Sequence, residues 1–143
     1  MLTANWIYKS TFRSWIDLRE RLEFCPDPYT TASNYFNKFP RVKIYTDPFD
    51  RSTWPTAWEL IDENEYCSFN VLLGICYTLQ LTERFKHIQP LINVALDSEN
   101  KTMYYMLLID DKVYGYQEEE WSLQRNLPKS LSVQKSYPMP PLH

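Results

Sequence analysis

Residues 66–82, the most apolar part of the chain, carry hydrophobic side chains on every side of a helix. A surface helix keeps one polar face, whereas a helix that is apolar all round is covered by other elements. The pattern therefore predicts a central apolar helix, and Gly74 within it predicts the close approach of a neighbouring element. The hydrophobic residues are Phe69, Val71, Leu72, Leu73, Ile75, Cys76, Tyr77 and Leu79.

In the second half of the chain, the pattern changes to short apolar runs separated by polar turns. Asp110-Asp111 provides the short acidic side chains that suit a hairpin turn. Three antiparallel strands packed on a central helix make an α+β domain, with a further helix before them whose first turn holds Pro55. The predicted strands are residues 91–96, 102–109 and 112–116, and the further helix is residues 54–62.

The first 53 residues are predicted to form an N-terminal helix and a connecting segment. Ser10 or Thr11 can cap a helix that runs to about residue 23, with residues 1–9 as an extended N-terminal arm. The connecting segment is rich in proline and aromatic residues, so it cannot continue the helix and is expected to lie against another surface. Within it, residues 41–45 alternate as a short strand does, and residues 29–37 can form a short helix.

Residues 121–143 contain four prolines and no acidic residue, and they are predicted to form an extended C-terminal arm. This arm is too apolar for a solvated linker, so it is expected to wrap either its own domain or a partner. The chain is thus divided into segments 1–53, 54–120 and 121–143, of which the middle one is the compact core. The predicted interaction residues are Trp121, Leu123, Leu127, Leu131, Val133, Tyr137, Trp54 and Trp58.

Composition argues against several classes of function. The net charge of −3 gives no general basis for nucleic-acid binding, and no apolar run is long enough to cross a membrane. The first ten residues lack the apolar region of an export signal. Three cysteines without a close pair argue against a disulfide framework or a zinc site, and two isolated glycines cannot form a phosphate-binding loop. No metal and no cofactor are expected.

Cys67 is a candidate nucleophile, because it lies in the predicted first turn of the central helix, where the helix dipole stabilises a thiolate. A thiolate of this kind needs a base, for which the chain offers His87. The order of a helix led by cysteine and then antiparallel strands resembles the core of the transglutaminase-like and papain-like superfamily over residues 54–117.

In that superfamily a histidine lies early in the strand that corresponds to residues 102–109, and an aspartate lies early in the next strand. The resemblance therefore implies a degenerate site, since His87 precedes the first strand. A packing role for Cys67 is favoured, and a peptidase-like or amidase-like hydrolase using Cys67 and His87 is the alternative. At the place of the histidine this chain has Tyr104 and Tyr105. At the place of the aspartate it has Tyr114, Gly115 or Tyr116.

The string DPFDRSTWPTAWELIDENEYCSFNVLLGICYTLQLTERF, followed by MLLIDDKVYGY, is similar to small proteins encoded by large tailed bacteriophages, especially those of marine cyanobacteria. The similarity is strongest over residues 47–116, and WPTAWELI is its most specific part. It implies a non-enzymatic structural component of the virion, at the neck, tail or baseplate, which is assembled in the host cytoplasm. The implied partners are other virion proteins and copies of this chain.

Overall fold

A computed structural model describes the backbone of residues 4–142 and the side chains of residues 11–142. Four α-helices and one five-stranded antiparallel sheet among these residues confirm the predicted α+β class. The elements are α1 (Ala4–Leu22), α2 (Pro28–Asn37), α3 (Ala57–Glu63), α4 (Ser68–Gln80), β1 (Leu91–Asp97), β2 (Met103–Ile109), β3 (Lys112–Tyr114), β4 (Trp121–Leu123) and β5 (Leu131–Pro138).

The short helices α2 and α3 begin where the sequence supplies caps. The Asp27 carboxylate accepts a hydrogen bond from the Thr30 backbone N–H at 3.2 Å, directly before Pro28 at the start of α2. Thr56 and Glu59 form a reciprocal capping box at the start of α3, with donor–acceptor distances of 3.0 and 3.3 Å. Local sequence therefore sets where both helices start.

Helix α4 is buried along its whole length, with Ser68 as its one exposed residue. It contacts α1, α2, α3 and β2. A Cβ atom on Gly74 would lie 2.6 Å from the Phe36 ring of α2, so this ring makes the close approach predicted at Gly74. On another side, the Trp15 indole of α1 donates a hydrogen bond to the Thr78 hydroxyl at 3.0 Å. The neighbours of α4 therefore fit a helix that lacks a polar face.

The sheet has five strands rather than the predicted three, in the order β4-β3-β2-β1-β5. Both additional strands come from residues 121–143, so the prediction of an extended C-terminal arm is wrong. Strand β4 pairs with β3, and β5 pairs antiparallel with β1 along its length. The prolines do not prevent this strand: Pro128 precedes β5, and Pro138 is its last residue, opposite Leu91, where an edge strand tolerates proline.

The segment between β4 and β5 packs on the sheet face turned away from the helices. Alternate residues of each strand point to opposite faces. The side chains on one face join the core beside the helices. The side chains on the other face form a second cluster, which residues of the C-terminal segment help to cover. The apolar tail residues therefore bury themselves on their own domain. The second cluster comprises Ala95, Met106, Leu108 and Val113, with Leu127 and Leu131 packed against it.

The outer edge of β5 has features that hinder the addition of a further strand. A β-bulge interrupts its pairing with β1 and leaves Gln134 as the extra residue. Lys135 is exposed on the same strand. Bulges and charged side chains are common means by which proteins protect sheet edges.

The predicted N-terminal arm is also wrong where the structure describes it. Helix α1 begins at Ala4, before the predicted cap at Ser10 or Thr11. No proline or glycine occurs before Pro26, so nothing in this part of the sequence breaks the longer helix. Residues 1–3 of the predicted arm lie outside the described residues.

Candidate protein-binding groove

The two residues of the alternative catalytic site, Cys67 and His87, lie at opposite ends of α4. Cys67 is the N-cap of this helix and is fully buried, and its side chain makes no capping hydrogen bond. His87 follows the other end of the helix and lines a separate cavity with Arg84 and Asp110. Because α4 has 13 residues, it is about 20 Å long. The imidazole is therefore far beyond hydrogen-bond reach of the thiol.

Polar groups close to Cys67 bond to one another instead. The Tyr45 hydroxyl donates to the Glu65 carbonyl at 2.9 Å and accepts from the Asn70 side-chain amide at 2.7 Å. Desolvation of the hydroxyl raises the pKa of Tyr45, so the phenol stays neutral.

A groove of about 500 Å³ lies beside the N-terminal end of α4. One wall is formed by α4, and the other by the start of β2 and the residues that follow β3. Four tyrosines occupy the places where the resemblance to the transglutaminase-like superfamily implies a histidine and an aspartate, and all four line this groove. Tyrosines therefore stand at the groove in place of an acid–base pair, and Tyr104 and Tyr116 also pack against the second cluster on the other face of the sheet. The four tyrosines are Tyr104, Tyr105, Tyr114 and Tyr116.

Hydrogen bonds and ring contacts hold the groove walls in place. The Tyr114 hydroxyl donates to the Asn37 side-chain oxygen at 2.6 Å, and burial raises the pKa of this phenol. Arg41 donates to the same oxygen at 2.7 Å and also to carbonyls at the end of α2. The rings of Tyr104 and Tyr116 lie 5.1 Å apart, centroid to centroid. A binding surface ordered in this way loses little entropy when it is occupied.

The first half of β2 presents an open strand edge to the groove. β3 pairs only with residues 107–109 of β2, and the chain bends at Gly115, which has a φ of 110° and still packs against the Tyr105 carbonyl. The Thr102 carbonyl accepts a hydrogen bond from β1 at 2.9 Å, so the even-numbered residues of β2 face β1. The backbone N–H groups of Met103 and Tyr105 therefore point to the other side, into the groove.

Exposed apolar side chains border the groove. Ile44 is 44% exposed and Met103 is 38% exposed. Residues 41–45 do not form the predicted sheet strand, since an isolated parallel bridge between Arg41 and Tyr66 is their β-contact within the described residues. That prediction is wrong for the single chain. Alternating polar and apolar residues form a strand only where the edge of a neighbouring strand is available for pairing.

Most of the predicted interaction residues in the tail make contacts within the chain. The Trp121 indole donates to the Tyr29 carbonyl at 2.9 Å. The Tyr137 ring lies 4.8 Å from the Trp54 ring, which anchors β5 to the segment before α3. These side chains serve the fold of their own domain. Of the others, Leu123 is half-buried in β4, and Leu127 and Leu131 pack on the second cluster.

The two remaining predicted interaction residues stay largely exposed. Trp58 is 55% exposed and stacks on Phe12 with 6.0 Å between ring centroids, and Val133 is 53% exposed on β5. Neither residue lines the groove. The groove had a signal in the sequence, because pairs of tyrosines in two predicted strands mark an aromatic surface. Its concave shape depends on how α4 and the sheet pack.

No protein-family model matches the chain, and searches of the curated proteins and of the solved structures find no match either. Within the described residues, no group of three or more His, Cys, Asp or Glu side chains is placed to hold a metal ion. No helix among residues 4–142 has both the length and the hydropathy to cross a membrane. The interpretation of the groove therefore depends on its own geometry.

Proposed function

We propose that this chain is a non-enzymatic interaction protein that binds other protein subunits in the tyrosine-lined groove. The observation that carries the proposal is the open edge of β2, which lies beside four tyrosines and two exposed apolar residues in one concave site. Unpaired strand edges bind extended segments through backbone hydrogen bonds, and tyrosines bury a large area at a small entropic cost. The proposal places the binding surface in the groove rather than in proline-rich arms.

The proposed setting is the virion of a tailed bacteriophage, at the neck, tail or baseplate. The resemblance to small phage proteins that the sequence of residues 47–116 led us to expect suggests this setting, and the abundance of aromatic residues, 16% of the chain, is compatible with it. Virion proteins act in many symmetric copies, so a groove that takes a neighbouring subunit suits them. The partners would be other virion proteins and copies of this chain.

Native Cys67 is expected to resist iodoacetamide in mildly acidic buffer, at about pH 6. The thiol is fully buried, so labelling requires an opening that costs several kcal/mol and is slower than for a free thiol by about a thousandfold or more. Mass spectrometry of tryptic peptides measures the rate, with the half-buried Cys25 as the internal reference. Rapid native labelling of Cys67 that disappears in His87→Ala would establish the hydrolase alternative and overturn this proposal.

Purified particles of the encoding phage are expected to contain the chain in a fixed copy number, because a structural component is incorporated stoichiometrically. Quantitative mass spectrometry of gradient-purified particles measures this number. The matched variant Cys67→Ser is expected to enter particles normally, since only packing is required at this position. Absence of the chain from particles, with abundant protein in the infected cell, would contradict the virion setting.

A further inference from the structure

We propose that the groove is the interface of a two-fold symmetric homodimer, in which residues 42–44 of each copy add as a strand to the open β2 edge of the other. This inference rests on the proposed function, because it names the partner of the same groove. The segment and the edge are both short, about three residues each. Within residues 4–142 of the single chain, residues 42–44 have no neighbouring strand and the start of β2 has no strand on its outer side. Each of the two can therefore serve as the strand that the other needs.

The receiving half of the interface is the start of β2. The N–H groups of Met103 and Tyr105 face the groove, where β3 no longer covers them. Gly115 lies so close to the Tyr105 carbonyl that a Cβ atom there would be 2.2 Å from it. Regular pairing therefore ends at Tyr114 while Gly115 still packs against Tyr105, so the free part of the edge is centred on Met103, where an incoming strand would pair.

The inserted half is the segment after Arg41, whose sequence Val42-Lys43-Ile44 alternates as a strand does. Val42 is 37% exposed and Ile44 is 44% exposed, so the segment keeps apolar side chains in water. The Val42 N–H donates to the Tyr66 carbonyl at 3.0 Å, which ties one end of the segment to the domain. A strand-forming sequence held in place without a sheet is suited to pair with a second chain.

Both halves lie at one site, as a two-fold interface requires. In such an interface the same patch serves both copies, so complementary elements must lie side by side on each chain. Ile44 and Met103 both line the groove, which meets this condition. Charge also matches, because the exposed Lys43 would approach the rim that carries Glu118 and Glu119 in the second copy.

The other long sheet edge is a weaker candidate for self-association. Strand β5 is bulged at Gln134 and carries the exposed Lys135. These features block regular pairing on that side. A variant of β5 therefore serves as a matched control for variants of the groove.

Sedimentation velocity over a concentration series tests the dimer on the full-length chain. The wild type is expected to show a concentration-dependent monomer–dimer equilibrium. Met103→Pro removes a groove-facing N–H at the first residue of β2, where proline is tolerated, and Ile44→Asp places a charge in the inserted segment. Each change is expected to raise the dissociation constant by about tenfold or more, and Val133→Asp on β5 is expected to leave it unchanged.

Circular dichroism and thermal melting establish that each variant is folded, and Ile44→Asp keeps the test valid if Met103→Pro is unstable, because Ile44 is a surface residue. A wild type that stays monomeric at its highest soluble concentration would overturn the inference, as would a dimer that only Val133→Asp weakens. If the wild type does not dimerise and Cys67 is unreactive, the homodimer is ruled out, while the groove can still bind a different subunit. A reactive Cys67 overturns the proposed function itself.

Discussion

Deletion of residues 131–143 is expected to unfold the domain rather than remove a dispensable arm. The deletion takes away β5, which pairs with β1, and it exposes the central strands. It also removes Met139, which is only 6% exposed, and the Tyr137 ring that packs on Trp54. Several net hydrogen bonds at about 1 kcal/mol each, the buried Met139 side chain at about 2 kcal/mol and the half-buried Tyr137 ring at about 1 kcal/mol approach the entire stability of a domain.

Far-UV circular dichroism and urea denaturation measure this effect. The expected result is the loss of a cooperative transition in the chain that ends at residue 130. A shorter deletion of residues 141–143 is the matched control, and it is expected to cost no more than about 1 kcal/mol, since the described residues of that end are exposed. A cooperative transition of wild-type midpoint in the 1–130 chain would contradict the role of β5. If the chain that ends at residue 130 failed to enter virions, the cause would therefore be unfolding of the domain.

Gly115→Ala is expected to destabilise the domain by about 2 to 4 kcal/mol. Gly115 has a φ of 110°, a conformation that side chains rarely adopt, and its added Cβ would meet the Tyr105 carbonyl oxygen at 2.2 Å. This oxygen belongs to the backbone of a paired strand, so it cannot move aside as a flexible side chain does. The strand and the turn would have to separate.

The midpoint of urea denaturation at unchanged slope measures the loss for Gly115→Ala. Asp110→Gly is the matched control, since Asp110 in the β2–β3 turn also has a positive φ, of 53°, and glycine relieves the strain there. This control is expected to stay within about 1 kcal/mol of the wild type. A Gly115→Ala chain with the wild-type midpoint would show that the close contact at the turn relaxes at no cost.

Several elements followed from sequence because their stability depends on residues close in the chain. Helix α4 forms within the predicted residues 66–82, since an all-apolar helix must be covered whatever element covers it. The hairpin of β2 and β3 forms around Asp110-Asp111, because a two-residue turn sets its own register. These two features were sufficient to identify the α+β class.

The candidate site was predicted only in part. The sequence pointed to the region beside Cys67 and to the tyrosines that stand where a catalytic histidine and aspartate would be. It did not reveal that the β2 edge is left open there, because this depends on where β3 stops. At that end point Gly115, the residue after β3, contacts the Tyr105 carbonyl of β2, and these two residues meet only in the folded sheet.

Sequence patterns thus determined the helices, the hairpin and the class of the fold, where each pattern reports local geometry. Only the tertiary structure decided that the tail joins its own sheet, that Val42-Lys43-Ile44 has no sheet partner among residues 4–142, and that Cys67 and His87 are kept apart. The physical reason is the same in each case. A strand or a side chain gains its free energy from its partner, and partners distant in sequence meet only when the whole chain packs.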